Sequence, residues 1–355
     1  MKISRPTRTR DTASGDAAPS VDVDPDMLLS VRNLSVEFAT AHGWARVLES
    51  VSFDLPREGS IGLVGESGSG KSVTALSMLG LIPTPPGRIV SGEVYFEGRD
   101  LLKLSKKELR RLRGNDIGMV FQEAMASLNP AFTVGEQIAE TVRLHRDVKR
   151  SEAWARAVEV LELVGIPSPK ERAKDYPHQF SGGMAQRVMI AMALACEPRL
   201  LIADEPTTAL DVTIQAHILE LLRDMQDRFD MAVLLVTHDF GIVADFCDHA
   251  LVMYAGQVVE AAPVDEIFDA PRHPYTEGLL ASMPQSGNET DDGLMWSIPG
   301  TVPPAGSMPP GCRFHPRCPY AMTPTCTSEP IELVTEGEHR HRCIRADELT
   351  LKGTQ

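Results

Sequence analysis

Long apolar runs are missing from this chain. The longest, Val188 to Cys196, is far short of the ~20 residues that a membrane-spanning helix needs. The chain is therefore expected not to enter a bilayer by itself. No secretory leader is expected either, because Lys2, Arg5, Arg8 and Arg10 are followed by no apolar core. Positive charge is in deficit: 35 Lys and Arg against 49 Asp and Glu give a formal charge of -14. That balance argues against nucleic acid as the main partner, since phosphate backbones require a basic face. It leaves open a small anionic ligand, which needs only a local positive pocket. Aromatics are scarce at 5%, although 43% apolar residues suffice for an ordinary core. Six cysteines without a leader point to reduced thiols or a metal site, not a disulfide framework.

The length, 355 residues, suits one large domain or two modest ones. Residues 1–26 carry no periodic apolar pattern and are expected to form a disordered tail. Leu28 to Phe38, Val47 to Leu55 and Gly92 to Gly98 read as strands of a small antiparallel sheet. A second class of strand is uniformly apolar: Ile61 to Val64, Ile117 to Phe121, Leu200 to Ala203 and Ala232 to Val236. Such runs, each beside a helical stretch, fit a buried parallel sheet. Ala131 to Ala195 reads as helical, with Met184 to Cys196 apolar on nearly all sides and ended by Pro198. Beyond about Ala262, Pro and Gly crowd in and four cysteines appear, which predicts a loop-rich extension.

Between the strand at Ile61 and a helix starting near Gly70 lies GESGSGKS, Gly65 to Ser72. Its glycines let backbone N–H groups wrap round phosphates. Lys71 supplies charge to the outer phosphates and Ser72 a hydroxyl ligand for Mg2+. Asp204 ends an apolar strand, where a carboxylate reaches Mg2+ through water. Glu205 beside it is suited to orient or deprotonate an attacking water; the plainer reading is an acidic pair capping the turn at Pro206. His238 follows another strand, at the edge where open α/β sheets bind ligands, although a lone His is more often a surface or core residue. Gln122 also follows an apolar strand and reads equally well as a solvated amide. Ser181 to Gly183 open a helix whose free N–H groups make an anion site; a simple N-cap by Ser181 is the alternative. Phe38 is either a base-stacking ring or a core residue.

The order GESGSGKS, then FSGGMAQR (Phe180 to Arg187), then LLIADEPTTALD (Leu200 to Asp211) resembles the nucleotide-binding subunit of ATP-binding-cassette transporters. The resemblance spans about Leu28 to Pro263 and implies an α/β fold. Its elements would be a P-loop core with a mixed sheet and RecA-like parallel strands, a small antiparallel subdomain, and a helical subdomain at about 123–195. It implies that ATP is held by Phe38, Gly65, Glu66, Ser67, Gly68, Ser69, Gly70, Lys71, Ser72 and Val73. Mg2+ would fall to Ser72, Gln122 and Asp204, and hydrolysis to Glu205, with His238 at the γ-phosphate and Gln122 facing the permease. Ser181, Gly182, Gly183 and Met184 would close on ATP held by a partner subunit, with Asp211 in the loop between the two. Two departures stand out: FSGGM replaces the commonest LSGGQ, and Ala185 stands where arginine is frequent.

Met184, HPYTEGLLASMP (His273 to Pro284) and PPGCRFHPRCPYA (Pro309 to Ala321) resemble the dipeptide and oligopeptide (peptide/nickel) importer branch. MYAGQVVEAAP (Met253 to Pro263) is a hairpin leading into that extension, residues 264–355. The spacing of Cys312, Cys318, Cys326 and Cys343 lacks the close pairs of zinc ribbons. Thiolates on a Pro/Gly-rich loop suit an iron–sulfur cluster, and subunits that this chain resembles carry [4Fe–4S] there. Zinc and unliganded thiols remain open, with His315, His339 and His341 as alternative ligands. Cys196 and Cys247 read as core. The branch implies a second, usually paralogous ATPase subunit, two membrane permeases, an extracytoplasmic binding protein, and peripheral attachment at the cytoplasmic face of the membrane. The expected activity is ATP hydrolysis that powers import of di- or oligopeptides. The alternatives are nickel or another small solute, or a cassette ATPase without a transporter, of the DNA-repair or ribosomal kind.

Overall fold

The computed structural model describes residues 24–208, 210–283 and 296–354. Residues 1–23 of the expected tail and Pro284 of the HPY string lie outside the described residues. The chain begins β1 (Met27–Thr40), β2 (Gly43–Pro56), β3 (Ser60–Val64), α1 (Lys71–Met78), β4 (Gly87–Phe96), β5 (Arg99–Asp100) and α2 (Lys106–Leu112). It continues β6 (Ile117–Val120), α3 (Ala124–Ser127), α4 (Val134–His145), α5 (Arg150–Leu163), α6 (Pro169–Arg172) and α7 (Gly182–Leu194). Then come β7 (Leu200–Asp204), α8 (Val212–Phe229), β8 (Ala232–Thr237), α9 (Phe240–Phe246), β9 (His249–Tyr254) and β10 (Gln257–Pro263). The last elements are α10 (Val264–Asp269), α11 (Pro274–Ala281), β11 (Val334–Glu336) and β12 (His339–His341).

Two sheets form. The antiparallel one has the order β2-β1-β4-β5, and it buries Val31, Val36, Phe53 and Leu55 against the main sheet's apolar side. Its third strand is longer than Gly92 to Gly98. It starts at Gly87 because Gly92 sits inside it at φ +114, where a Cβ would stand 2.6 Å from the Leu34 Cα. The pairing shifts register between Arg32 and Ser35 opposite that point. Gly92 thus marks a bulge, which sequence alone cannot tell from a strand start.

The larger sheet has the order β11-β12-β10-β9-β3-β8-β7-β6. Its strands β6, β7, β8, β3 and β9 pair in parallel, and every residue of β3, β7 and β8 is buried. Burial on both faces explains their uninterrupted apolar character. The carboxyl ends of β3, β6, β7 and β8 deliver Gly65, Gln122, Asp204 with Glu205, and His238 to one edge. Strands β9 and β10 form the expected hairpin.

Helices α3 to α7 pack together as a layer. Thr133 and Glu136 form a capping box that starts α4, a device that satisfies orphan N–H groups at a helix start. Ala153, Ala157, Val160 and Leu161 of α5 and most of α7 are buried in one core. The α7 helix ends at Leu194, short of Pro198.

The C-terminal extension is loop-rich, but it adds the hairpin β11–β12 to the edge at β10, with Glu260 opposite His341. Tyr254 of β9, Tyr275 of α11 and Phe314 of the extension meet at tilted and edge-on angles with ring centroids 4.6–5.3 Å apart. Among the described residues no helix is long and apolar enough to cross a membrane.

Candidate active site

The phosphate loop leaves β3 with Gly65, Gly68 and Gly70 at φ +153, +80 and +108. At Gly65 a Cβ would lie 2.2 Å from the Met253 carbonyl oxygen, so only glycine lets the loop lie this close to β9. Lys71 is 4% exposed, and its Nζ donates to the carbonyls of Gly65 (2.8 Å) and Glu66 (3.1 Å). Burial pulls its pKa below the ordinary lysine value, while the charges of Glu205, Asp204 and Glu66 oppose that. The ammonium is folded back on its own loop, in reach of whatever the loop encloses.

Ser72 Oγ donates to Asp204 Oδ1 at 3.0 Å across 132 residues of chain. Burial raises the Asp204 carboxyl above its usual range, and the Ser72 hydrogen bond partly offsets this. A hydroxyl and a buried carboxylate side by side next to a phosphate loop match the hard oxygen donors that Mg2+ prefers. Glu205 has φ +47, and its N–H donates to the Val236 carbonyl at 2.8 Å. Its Oε2 accepts from Gln122 Nε2 (2.9 Å) and Thr208 Oγ1 (2.7 Å). His238 Nδ1 stands 3.5 Å from Oε1. Gln122, Glu205 and His238 therefore meet in one cluster beside Ser72 and Asp204. Thr208 escaped the sequence reading, although it lies within the quoted EPTT string.

Ser181 caps α7, its Oγ accepting from Met184 N–H at 3.4 Å. Ser181 and Gly182 are exposed and a Cβ on Gly182 would meet nothing within 4 Å, so this helix start opens outward. Gly183 is buried against Ile214 of α8, Met184 packs partly against the core, and Ala185 is fully buried. Asp211 is exposed and caps α8, accepting from Ile214 N–H at 2.9 Å. Phe38 and Val73 are half-buried on the rim of the core beneath the antiparallel sheet.

The thiols of Cys312, Cys318, Cys326 and Cys343 line one cavity of about 20 Å³, together with His273 and His315. Burial pushes the thiol of Cys312 up, that of Cys318 to about 11 and that of Cys343 to about 12. Among the described residues no three Cys, His, Asp or Glu side chains group as a site for a single metal ion. Two alternative ligands lie elsewhere: His339 pairs with the fully buried Glu260 at 2.7 Å, and His341 stands 3.8 Å from Glu336. Neither lines the cavity; the hairpin that carries them docks on β10. Cys196 and Cys247 are buried, as expected.

A family model described as ABC transporter matches residues 48–208. One described as oligopeptide/dipeptide transporter, C-terminal region, matches residues 259–326. A putative peptide import ATP-binding protein of Brucella abortus is 51% identical over 87% of this chain and 92% of its own length. An oligopeptide transport ATP-binding protein of Bacillus subtilis is 52% identical over 85% of this chain and 84% of its own. Among solved structures, a dimeric ATP-binding cassette in a post-hydrolysis state with ADP and Pi superposes with a TM-score of 0.60. It is 28% identical and covers 66% of this chain and 98% of that one.

Proposed function

Because the chain belongs to the ABC transporter family as an ATP-binding subunit, we propose that it hydrolyses ATP to power import of di- and oligopeptides. The observation that carries the chemistry is the cluster at the sheet's carboxyl edge, where Ser72–Asp204 and Gln122–Glu205–His238 converge beside the phosphate loop. The peptide cargo is supported by the two relatives, named for peptide and oligopeptide transport, and by the C-terminal match at residues 259–326.

In this reading Gly65 to Ser72, with Val73 behind them, cradle the triphosphate. Lys71 exchanges the Gly65 and Glu66 carbonyls for phosphate oxygens, and Phe38 offers its ring to the base. Ser72, Asp204 and Gln122 would hold Mg2+, which when bound neutralises charge on the outer phosphate oxygens. Glu205 orients a water and takes its proton as the water oxygen attacks the γ-phosphorus. The bond from that phosphorus to the bridging oxygen breaks, releasing ADP and phosphate. Gln122 and Thr208 hold the Glu205 carboxylate in place through Oε2, and His238 faces its other oxygen, Oε1. The outward-facing start of α7, with Ser181, Gly182, Gly183 and Met184, serves nucleotide bound to a second subunit, and Asp211 lies at that seam.

Residues 27–263 act as the nucleotide-binding unit and 264–355 as its extension. The partners are a second ATPase subunit, identical or paralogous, two permeases and an extracytoplasmic binding protein, with attachment at the cytoplasmic face of the membrane. The test is co-expression with the neighbouring permease genes and reconstitution with the binding protein. Peptide should stimulate ATP turnover by the assembly. Stimulation by a nickel chelate instead, or co-purification with ribosomes and no permease, overturns the assignment.

The four extension cysteines also have the donor chemistry of a [4Fe–4S] cluster, although among the described residues they form no group that could hold a metal ion. Support comes from the donor set itself and from all four thiols lining one cavity, since such clusters are held by Cys thiolates. Cys312, Cys318, Cys326 and Cys343 would hold it, and when bound it would tie their loop segments together. Protein purified without oxygen should contain iron and acid-labile sulfide in equal amounts. Stoichiometric zinc without sulfide removes the cluster.

A further inference from the structure

The phosphate loop is held from outside by the extension. Glu66 of the loop has three attachments. Its carboxylate receives a bidentate pair from Arg317, Nη1 at 2.7 Å and Nη2 at 3.0 Å, across 251 residues of chain. Its N–H donates to the Tyr275 hydroxyl at 2.9 Å. Its carbonyl accepts from Lys71 Nζ at 3.1 Å. One residue thus joins the extension to the lysine that faces the phosphates.

Exposed ion pairs contribute little, but this one is not free to fluctuate. The Arg317 side chain is 5% exposed. Its Nε donates to the Pro299 carbonyl at 2.8 Å and its Nη2 to the Ile298 carbonyl at 3.3 Å. Its guanidinium lies over the rings of Tyr254 and Phe314, 5.7 and 5.9 Å from their centroids. A planar fork fixed on several sides transmits geometry as a flexible ammonium cannot. Tyr275 is fully buried, and burial raises its pKa, so its hydroxyl keeps its proton. The loop it meets has three glycines at positive φ and little stiffness of its own.

We propose that Arg317 and Tyr275 are positioning residues for the ATP site: by clamping Glu66 they preorganise the phosphate loop and set the affinity for MgATP. The inference rests on the ATPase reading above. Preorganisation lowers the ordering cost at binding, so its loss weakens binding without removing a contact to the ligand.

The test uses the full chain, with MgATP binding followed by calorimetry and turnover by phosphate release. Arg317→Met should raise Kd and KM for MgATP about tenfold, the scale of a hydrogen bond to a charged group, and leave kcat little changed; Glu66→Gln should raise Kd by a similar factor. The double variant should bind no worse than either single, because both break one interaction. Arg317→Lys should recover part of the affinity, keeping the charge but not the fork. A purely structural role would lower the unfolding temperature without this KM-against-kcat split or the rescue by lysine. Unchanged affinity in both single variants, or additive losses in the double, overturns the clamp. Should Arg317→Met fail to fold, Tyr275→Phe decides alone, since it removes the hydroxyl that accepts from the Glu66 N–H, and wild-type affinity there overturns the clamp. A wild-type chain that binds no MgATP sinks the ATPase reading instead, which keeps the two failures apart.

Discussion

Glu205→Gln is expected to keep MgATP bound while hydrolysing it ~10²–10⁴-fold more slowly, the usual contribution of a positioned general base. The amide occupies the same volume and can still accept from Gln122 and Thr208 through its oxygen, so the cluster at 2.7–2.9 Å is kept. What is lost is a basic oxygen able to take a proton from water. The left-handed backbone at Glu205 and its N–H bond to Val236 do not depend on the side chain, so folding should be unaffected. With hydrolysis blocked, the closed pair of subunits should accumulate and elute as a dimer in MgATP. Turnover near the wild-type rate would remove Glu205 from the role of base.

Lys71→Ala is expected to fail one step earlier. A hydrogen bond to a charged group is worth ~1.5–3 kcal/mol, so affinity for MgATP should fall about 10- to 100-fold. The substitution also strips the Gly65 and Glu66 carbonyls of their donor in a nearly closed spot. Equilibrium binding of MgATP measures the effect, and dimer should not form at nucleotide concentrations that saturate Glu205→Gln. The two variants therefore separate phosphate capture from water activation. If Lys71→Ala bound MgATP as tightly as wild type, the ammonium would not be a phosphate contact.

Much of the nucleotide site was legible because its parts are local. Gly65 to Ser72 carries its own φ requirements and charge within eight residues, and apolar strands mark where Asp204 and His238 emerge. The register within the antiparallel sheet was less legible: Gly92 looked like a boundary because a glycine at a bulge and one at a strand start are the same letter. His339 and His341 were candidate ligands by proximity in sequence to Cys343. Docking of β11–β12 on β10 instead takes them to Glu260 and Glu336. The half-buried place of Phe38 keeps both of its sequence readings in play within one ring.

The sequence by itself determined that this chain handles a nucleoside triphosphate, and through FSGGMAQR and the His273 and Cys312 regions to which branch of the family it belongs. Those signals are short, and each encodes its chemistry in backbone freedom and side-chain type. Only the tertiary structure decided that the extension reaches the phosphate loop. The Arg317–Glu66 pair spans 251 residues, and no periodicity or local spacing records a contact made by packing one end of a chain against the other.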